Sequence, residues 1–181
     1  MYQQDIFHEC TVERKTPGSI KVMAYISAIF AFLFFLMMMV FPPMLLMALL
    51  FALLAWFNFQ YTKIAFDYSY TNGELDIDKV IGGRKRKSMV ATKEANIVVM
   101  APTHSDPVQR YIGKSMPVKD CSSHIPGKNY YVMIIKDDVT AQETKVIVEP
   151  SIEILDILQR MNPSRVTLSD EDRAKARKLA Y

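Results

Sequence analysis

From Val22 through Thr62 the sequence carries no Asp, Glu, Lys or Arg, although charged residues make up 23% of the 181-residue chain. Soluble helices of that length normally show a polar face, so the gap excludes an ordinary surface location for the segment. Cysteine is scarce as well. Cys10 and Cys121 stand on either side of the gap without the regular spacing of a disulfide framework, a usage that fits a reducing, cytoplasmic setting. The net charge of +3 comes without a nucleic-acid-binding motif or a dense basic face, so no nucleic-acid partner is expected. No residue pattern names a cofactor or a reaction.

What fills the uncharged gap is apolar: VMAYISAIFAFLFFLMMMV, then FPP, then MLLMALLFALLAWFNFQYT. At about 1.5 Å per helical residue the stretch reaches roughly 60 Å, twice a hydrocarbon core of about 30 Å. It is therefore expected to cross a membrane twice, as helices over 22–41 and 44–62. Pro42 and Pro43 fall at the midpoint, where the missing N–H and the ring clash stop the first helix. The run is far too long for a cleaved signal peptide.

Arg14, Lys15 and Lys21 precede the first span and Lys63 follows the second, whereas the connecting turn is uncharged. The positive-inside rule then places both flanks, and both termini, on the cytoplasmic side of the plasma membrane, with Tyr25, Trp56 and Tyr61 at the same interface. Ala24, Ala28 and Ala31, with Ala48, Ala52 and Ala55, recur at helical spacing and allow close packing of the hairpin. No ionisable group lies within the spans, which argues against a transport pathway. Met37, Met38, Met39, Met44 and Met47 cluster near the turn, where packing is a commoner role for methionine than Cu(I) binding.

After the spans the period changes to two. Residues 65–71 (AFDYSYT), Asn72-Gly73 and residues 74–81 (ELDIDKVI) read as a hairpin, because Asn-Gly accepts the positive φ angles of a type I′ turn. Gly82-Gly83 then turns into RKRKSMV, followed by a strand at 95–100. A second hairpin joins 130–136 to 144–149 through Asp137-Asp138. Ser151 is placed to cap a helix over 151–161 whose apolar face is Ile154, Leu155, Leu158 and Met161. Such an order implies an α+β chain: a cytoplasmic N-terminal segment (1–21), the transmembrane hairpin (22–62), and a β domain (63–162). That domain would be an antiparallel sheet or partly open barrel capped by its C-terminal helix. Residues 163–181 read as an exposed, charged helical tail, with Ser169 at its cap, acids in the first turn and bases in the last.

The segment FDYSYTNGELDIDKVIGGRKRKS, directly after an apolar hairpin, resembles small bacterial membrane proteins that carry a bacterial PH-like domain. The resemblance spans most of residues 22–162. It implies a PH-like β scaffold held at a membrane, and brings no catalytic residues.

Two stretches are candidate sites. Lys79, Arg84, Lys85, Arg86, Lys87 and Lys93 form a basic cluster that would be attracted to anionic lipid headgroups, or would protect a sheet edge. The proline-rich segment 101–128 holds His104, Asp106, Asp120, Cys121 and His124; a Cys–His nucleophile or a metal set is conceivable there, but Cys-x-x-His lacks the second pair that makes zinc spacing specific. The expected function is that of a non-catalytic, membrane-anchored interaction or scaffold module. Its partners would be the bilayer, a membrane protein or a second copy, and in an alternative reading anionic headgroups.

Overall fold

The structure, a computed structural model, describes residues 7–138 and 140–179. The outermost parts of the N-terminal segment and of the tail, residues 1–6 and 180–181, lie outside them.

Two helices occupy the uncharged gap, α1 (Gly18–Met37) and α2 (Met44–Tyr61). Both are long and apolar enough to cross a membrane, with mean hydropathy 2.2 and 1.7, and only 11% of each is buried. Helix α1 starts four residues before the expected Val22, directly after Pro17, and it stops at Met37, short of the expected residue 41. An antiparallel return needs room ahead of Pro42-Pro43, and residues 38–41 use it for turns closed by Met38 N–H to Phe34 O and Val40 N–H to Met37 O, each 3.0 Å. Ala24, Ser27, Ala48 and Ala55 are buried in the seam. Phe34 stacks on Phe51 at 5.4 Å and Tyr25 meets Phe59 edge-on at 5.8 Å. Ala52, expected in the seam, is exposed.

The β domain consists of two four-stranded sheets. The first runs β1 (Phe7–Glu13), β2 (Ile64–Thr71), β3 (Glu74–Ile81) and β4 (Lys85–Lys93), all antiparallel. Asn72 and Gly73 take φ 48° and 92°, the I′ geometry expected of Asn-Gly. The second sheet contains β5 (Ile97–Pro102), β6 (Val118–Asp120), β7 (Tyr131–Lys136) and β8 (Glu143–Val148), in the order β5-β7-β8-β6. Its β6 is parallel to β8, so the domain is mixed rather than wholly antiparallel.

Strand β1 changes the domain boundary. The N-terminal segment is not separate: it pairs with β2 from Phe7↔Thr71 to Glu13↔Ala65. The two helices are therefore inserted between neighbouring strands of one sheet. Along β1 the residues His8, Cys10 and Val12 are half-buried and alternate with exposed ones, the pattern of a sheet edge.

Inner faces of both sheets share one core, in which Phe66, Tyr68, Tyr70, Leu75, Ile77, Met100, Met133 and Val146 are buried. Helix α4 (Ile152–Met161) closes it with Ile154, Leu155 and Leu158, and the Ser151 hydroxyl caps its first turn. Met161 is half exposed and is not part of that face.

The tail is not wholly exposed either. Val166 and Leu168 are buried in the core, and the chain runs beside β5 through Thr167 N–H to Met100 O and Met100 N–H to Arg165 O, both 2.8 Å. Helix α5 (Asp170–Leu179) buries Ala176. Its Asp172 carboxylate accepts from Tyr131 Oη at 2.5 Å and from Ser169 Oγ at 2.7 Å. The segment 101–128 is built from a short helix α3 (Asp106–Gln109) and β6, and Val108 packs under it against Ala101 and Ile134.

Candidate functional site

The helices join the domain through very short links, Arg14–Pro17 on one side and Thr62-Lys63 on the other. Backbone pairing runs into both links: Arg14 N–H bonds Ile64 O at 2.8 Å, and the Thr16 hydroxyl bonds Thr62 O. The β3–β4 turn sits on the same junction. Gly82 N–H bonds Lys63 O at 2.7 Å, and Gly82 lies at φ +62° so close to α2 that a Cβ there would fall 2.0 Å from Gln60 Oε1.

This seating decides where the basic cluster goes. Arg84 and Lys85, both exposed, lie at the helix end of the domain together with Lys15 and Lys63. Strand register then separates the remaining cations by face. Phe66, Lys79 and Lys87 are opposite one another on the core side of the sheet, as are Ile64, Ile81 and Lys85 nearer the helices. Arg86 falls on the outer face, where it pairs with Asp67 at 3.2 Å, and Asp67 also accepts from Thr11 Oγ1 at 2.7 Å. Lys93 does not join the others. It stands opposite Glu74 at the far end of β4, about 26 Å from Lys85 at some 3.3 Å per residue.

The candidate Cys–His loop buries its cysteine. Cys121 is fully buried, its N–H bonds Ile147 O at 2.9 Å and its carbonyl accepts from Tyr68 Oη at 2.7 Å. Burial, with Asp120 adding to it, pushes the thiol up to about 11, so thiolate is scarce at neutral pH. His124 instead bonds Asp120 at 2.6 Å, and Arg14 bonds both Asp120 (2.9 Å) and His124 (2.9 Å) while lying 5.1 Å from the Phe66 ring centre. His104 is exposed and Asp106 opens helix α3. Among the described residues no three His, Cys, Asp or Glu side chains gather so as to hold a metal ion.

Two residues outside the expected set belong to this end. Arg14 ties the link before α1 to the loop through Ser122 O as well as Asp120. Lys119, on β6, reaches across to the first sheet and donates to Met89 O at 2.6 Å. Nothing local in the sequence marks Lys119, because its position depends on a three-residue parallel pairing with β8.

Beside the junction lies an open cleft of about 340 Å³ lined by Glu13, Arg14, Thr62, Lys63, Ile64, Ala65, Val80 and Gly83. It is large enough for a headgroup-sized molecule.

No curated protein and no solved structure matches the chain. A family model of a bacterial PH-like domain does match, over residues 4–168, and so takes in β1, both apolar helices and the two sheets. The chain accordingly belongs to the bacterial PH-like domain family DUF6106.

Proposed function

We propose that the protein is a non-catalytic, membrane-anchored interaction module. In this reading the two helices cross the plasma membrane, both chain ends are cytoplasmic, and the PH-like domain rests on the inner leaflet through its basic end. The apolar exposure all round α1 and α2 supports the crossing, since water would penalise it and lipid would not. The cations on both flanks and the uncharged turn support the orientation.

One observation carries the lipid contact: the β3–β4 turn is bonded to Lys63 in the link after α2 and lies against Gln60 of α2, so Arg84 and Lys85 would be held in the headgroup zone whenever the helices are in the bilayer. Each cation there contributes about 1 kcal/mol toward an anionic surface. The module is then fixed on its membrane rather than recruited to it.

Topology is tested by single-cysteine labelling in a background without Cys10 and Cys121. A cysteine at Met39 should react with an external impermeant reagent, and one at Lys178 only after permeabilisation; the reverse pattern sinks the orientation. Contact is tested with a spin label at Ser88, exposed on the outer face of β4, in full-length protein reconstituted into nanodiscs. Lipid-borne relaxation should strengthen when phosphatidylglycerol replaces part of the phosphatidylcholine, and Arg84→Glu with Lys85→Glu should remove the difference.

A protein partner or a second copy is the other reading. It draws on β4, whose outer side has no neighbouring strand in the sheet order. Cross-linking through Ala91→Cys in native membranes should trap a defined product, and recovery of monomer alone would count against it.

A further inference from the structure

We infer that Lys79, Lys87 and Lys119 form a phosphate-binding site on the core side of the sheet, toward the end of β3 and β4 nearer the helices. Lys79 and Lys87 stand directly opposite each other on antiparallel strands. Like charges so placed repel one another. Both share the face that carries Phe66, so the repulsion is not relieved by Asp67 or Asp78, which occupy the outer face.

Lys119 approaches from the other sheet. The carbonyl it bonds belongs to Met89, the extra residue in the β4 irregularity where Ile77 faces Val90 and Asp78 faces Ser88. That carbonyl lies two residues from Lys87. Lys79, directly opposite Lys87, belongs to the same stretch of the sheet.

None of the three has a carboxylate partner among the described residues. Asp120, the nearest acid in sequence to Lys119, is turned to Arg14, His124 and Ser122. An ammonium offers three donors and Lys119 gives one to Met89, so the cluster has donors in excess and, among the described residues, no carboxylate to receive them. A phosphate group matches that deficit, because several of its oxygens accept charge-assisted hydrogen bonds at once. The site does not depend on the anchor reading: a free phosphate compound or a phosphate-bearing lipid headgroup supplies the same chemistry.

The test uses the full chain in phosphatidylcholine nanodiscs, with its lysines labelled for side-chain NMR. Inorganic phosphate is titrated in one arm, and discs containing phosphatidic acid form the other. Saturable shifts confined to Lys79, Lys87 and Lys119 are expected with inorganic phosphate, and saturable shifts of the same three, beside those of the helix-end lysines that meet the leaflet, in the phosphatidic acid discs; binding should be at least tenfold weaker in Lys79→Gln/Lys87→Gln and unchanged in Arg86→Gln. A response to inorganic phosphate identifies a soluble ligand class, and a response to phosphatidic acid alone identifies a headgroup; both support the site. Thermal unfolding gives an independent readout. Lys87→Gln should raise Tm without phosphate, by relieving the repulsion, and should abolish the rise that phosphate produces in the parent protein. Silence of all three lysines in both arms, uniform unsaturable shifts of every lysine, or wild-type binding by the double variant would overturn the proposal.

Discussion

Gly82 holds the junction between helices and sheet in a backbone conformation that L side chains resist, at φ +62°. Gly82→Ala should therefore cost about 1 to 2 kcal/mol from the left-handed backbone alone, before the collision with Gln60 is counted. Adding Gln60→Ala should recover only the collision part, as thermal unfolding in detergent would show. Asp120 makes a second prediction. Burial opposes its ionisation, yet hydrogen bonds from His124 and Ser122 and the charge of Arg14 hold its carboxyl below the usual range. A folded pKa below the unfolded one supplies stability that is full above about pH 4 and is lost as pH falls through the folded value. Asp172 behaves alike: burial opposes its ionisation, and hydrogen bonds from Tyr131 and Ser169 outweigh it. Asp120→Asn should thus lower Tm at neutral pH and flatten, without abolishing, the acid decline below about pH 4.

Strand β1 and the segment before α5 are the elements that sequence patterning assigns least well. The peptide FHECTVE alternates only weakly, since an edge strand needs to bury little, and it is separated from its partner β2 by the whole hairpin. Deleting residues 1–13 should unpair the edge of β2, remove the packing of Cys10 and Val12, and make the domain sensitive to limited proteolysis; a domain as resistant as the parent would contradict the pairing. Leu168 is buried beyond the helix that was expected to end the domain. Leu168→Ala should cost about 2 to 4 kcal/mol, measured by thermal or denaturant unfolding, whereas a truly exposed tail would tolerate it. The β2–β3 and β7–β8 hairpins and helix α4 lie within a residue or two of their expected bounds. Their signals are local: Asn-Gly, alternation, and a Ser cap before an amphipathic run.

At the scale of the molecule, the insertion of the helices between β1 and β2 leaves two taut links in place of one flexible linker. A four-residue Gly/Ser insertion between Thr62 and Lys63 should loosen the seating of the β3–β4 turn on α2. Distance distributions between spin labels on Gln60 and Arg84 should broaden, and a distribution as narrow as the parent's would show that the links are not what orients the domain. The basic cluster was legible as composition but not as a site. Lys79, Arg84, Lys85, Arg86, Lys87 and Lys93 look continuous in the chain, and register distributes them between the core side, the helix end, the outer face and the far end of the sheet. Lys119 has no such signal, since only tertiary contact brings it to Met89.

By itself the sequence determined the two apolar helices, the start of the second after Pro42-Pro43 and the hairpins, because hydrophobic runs, Pro-Pro and Asn-Gly act on the nearest few residues. Tertiary structure alone decided that the N-terminal segment belongs to the domain and that residues 163–168 complete its core. It also decided that Cys121 is buried and that the basic turn is seated at the helix end. Each of these rests on pairing or burial between residues far apart in the chain. Local propensity does not encode such contacts, and they form only when the two sheets close over one core.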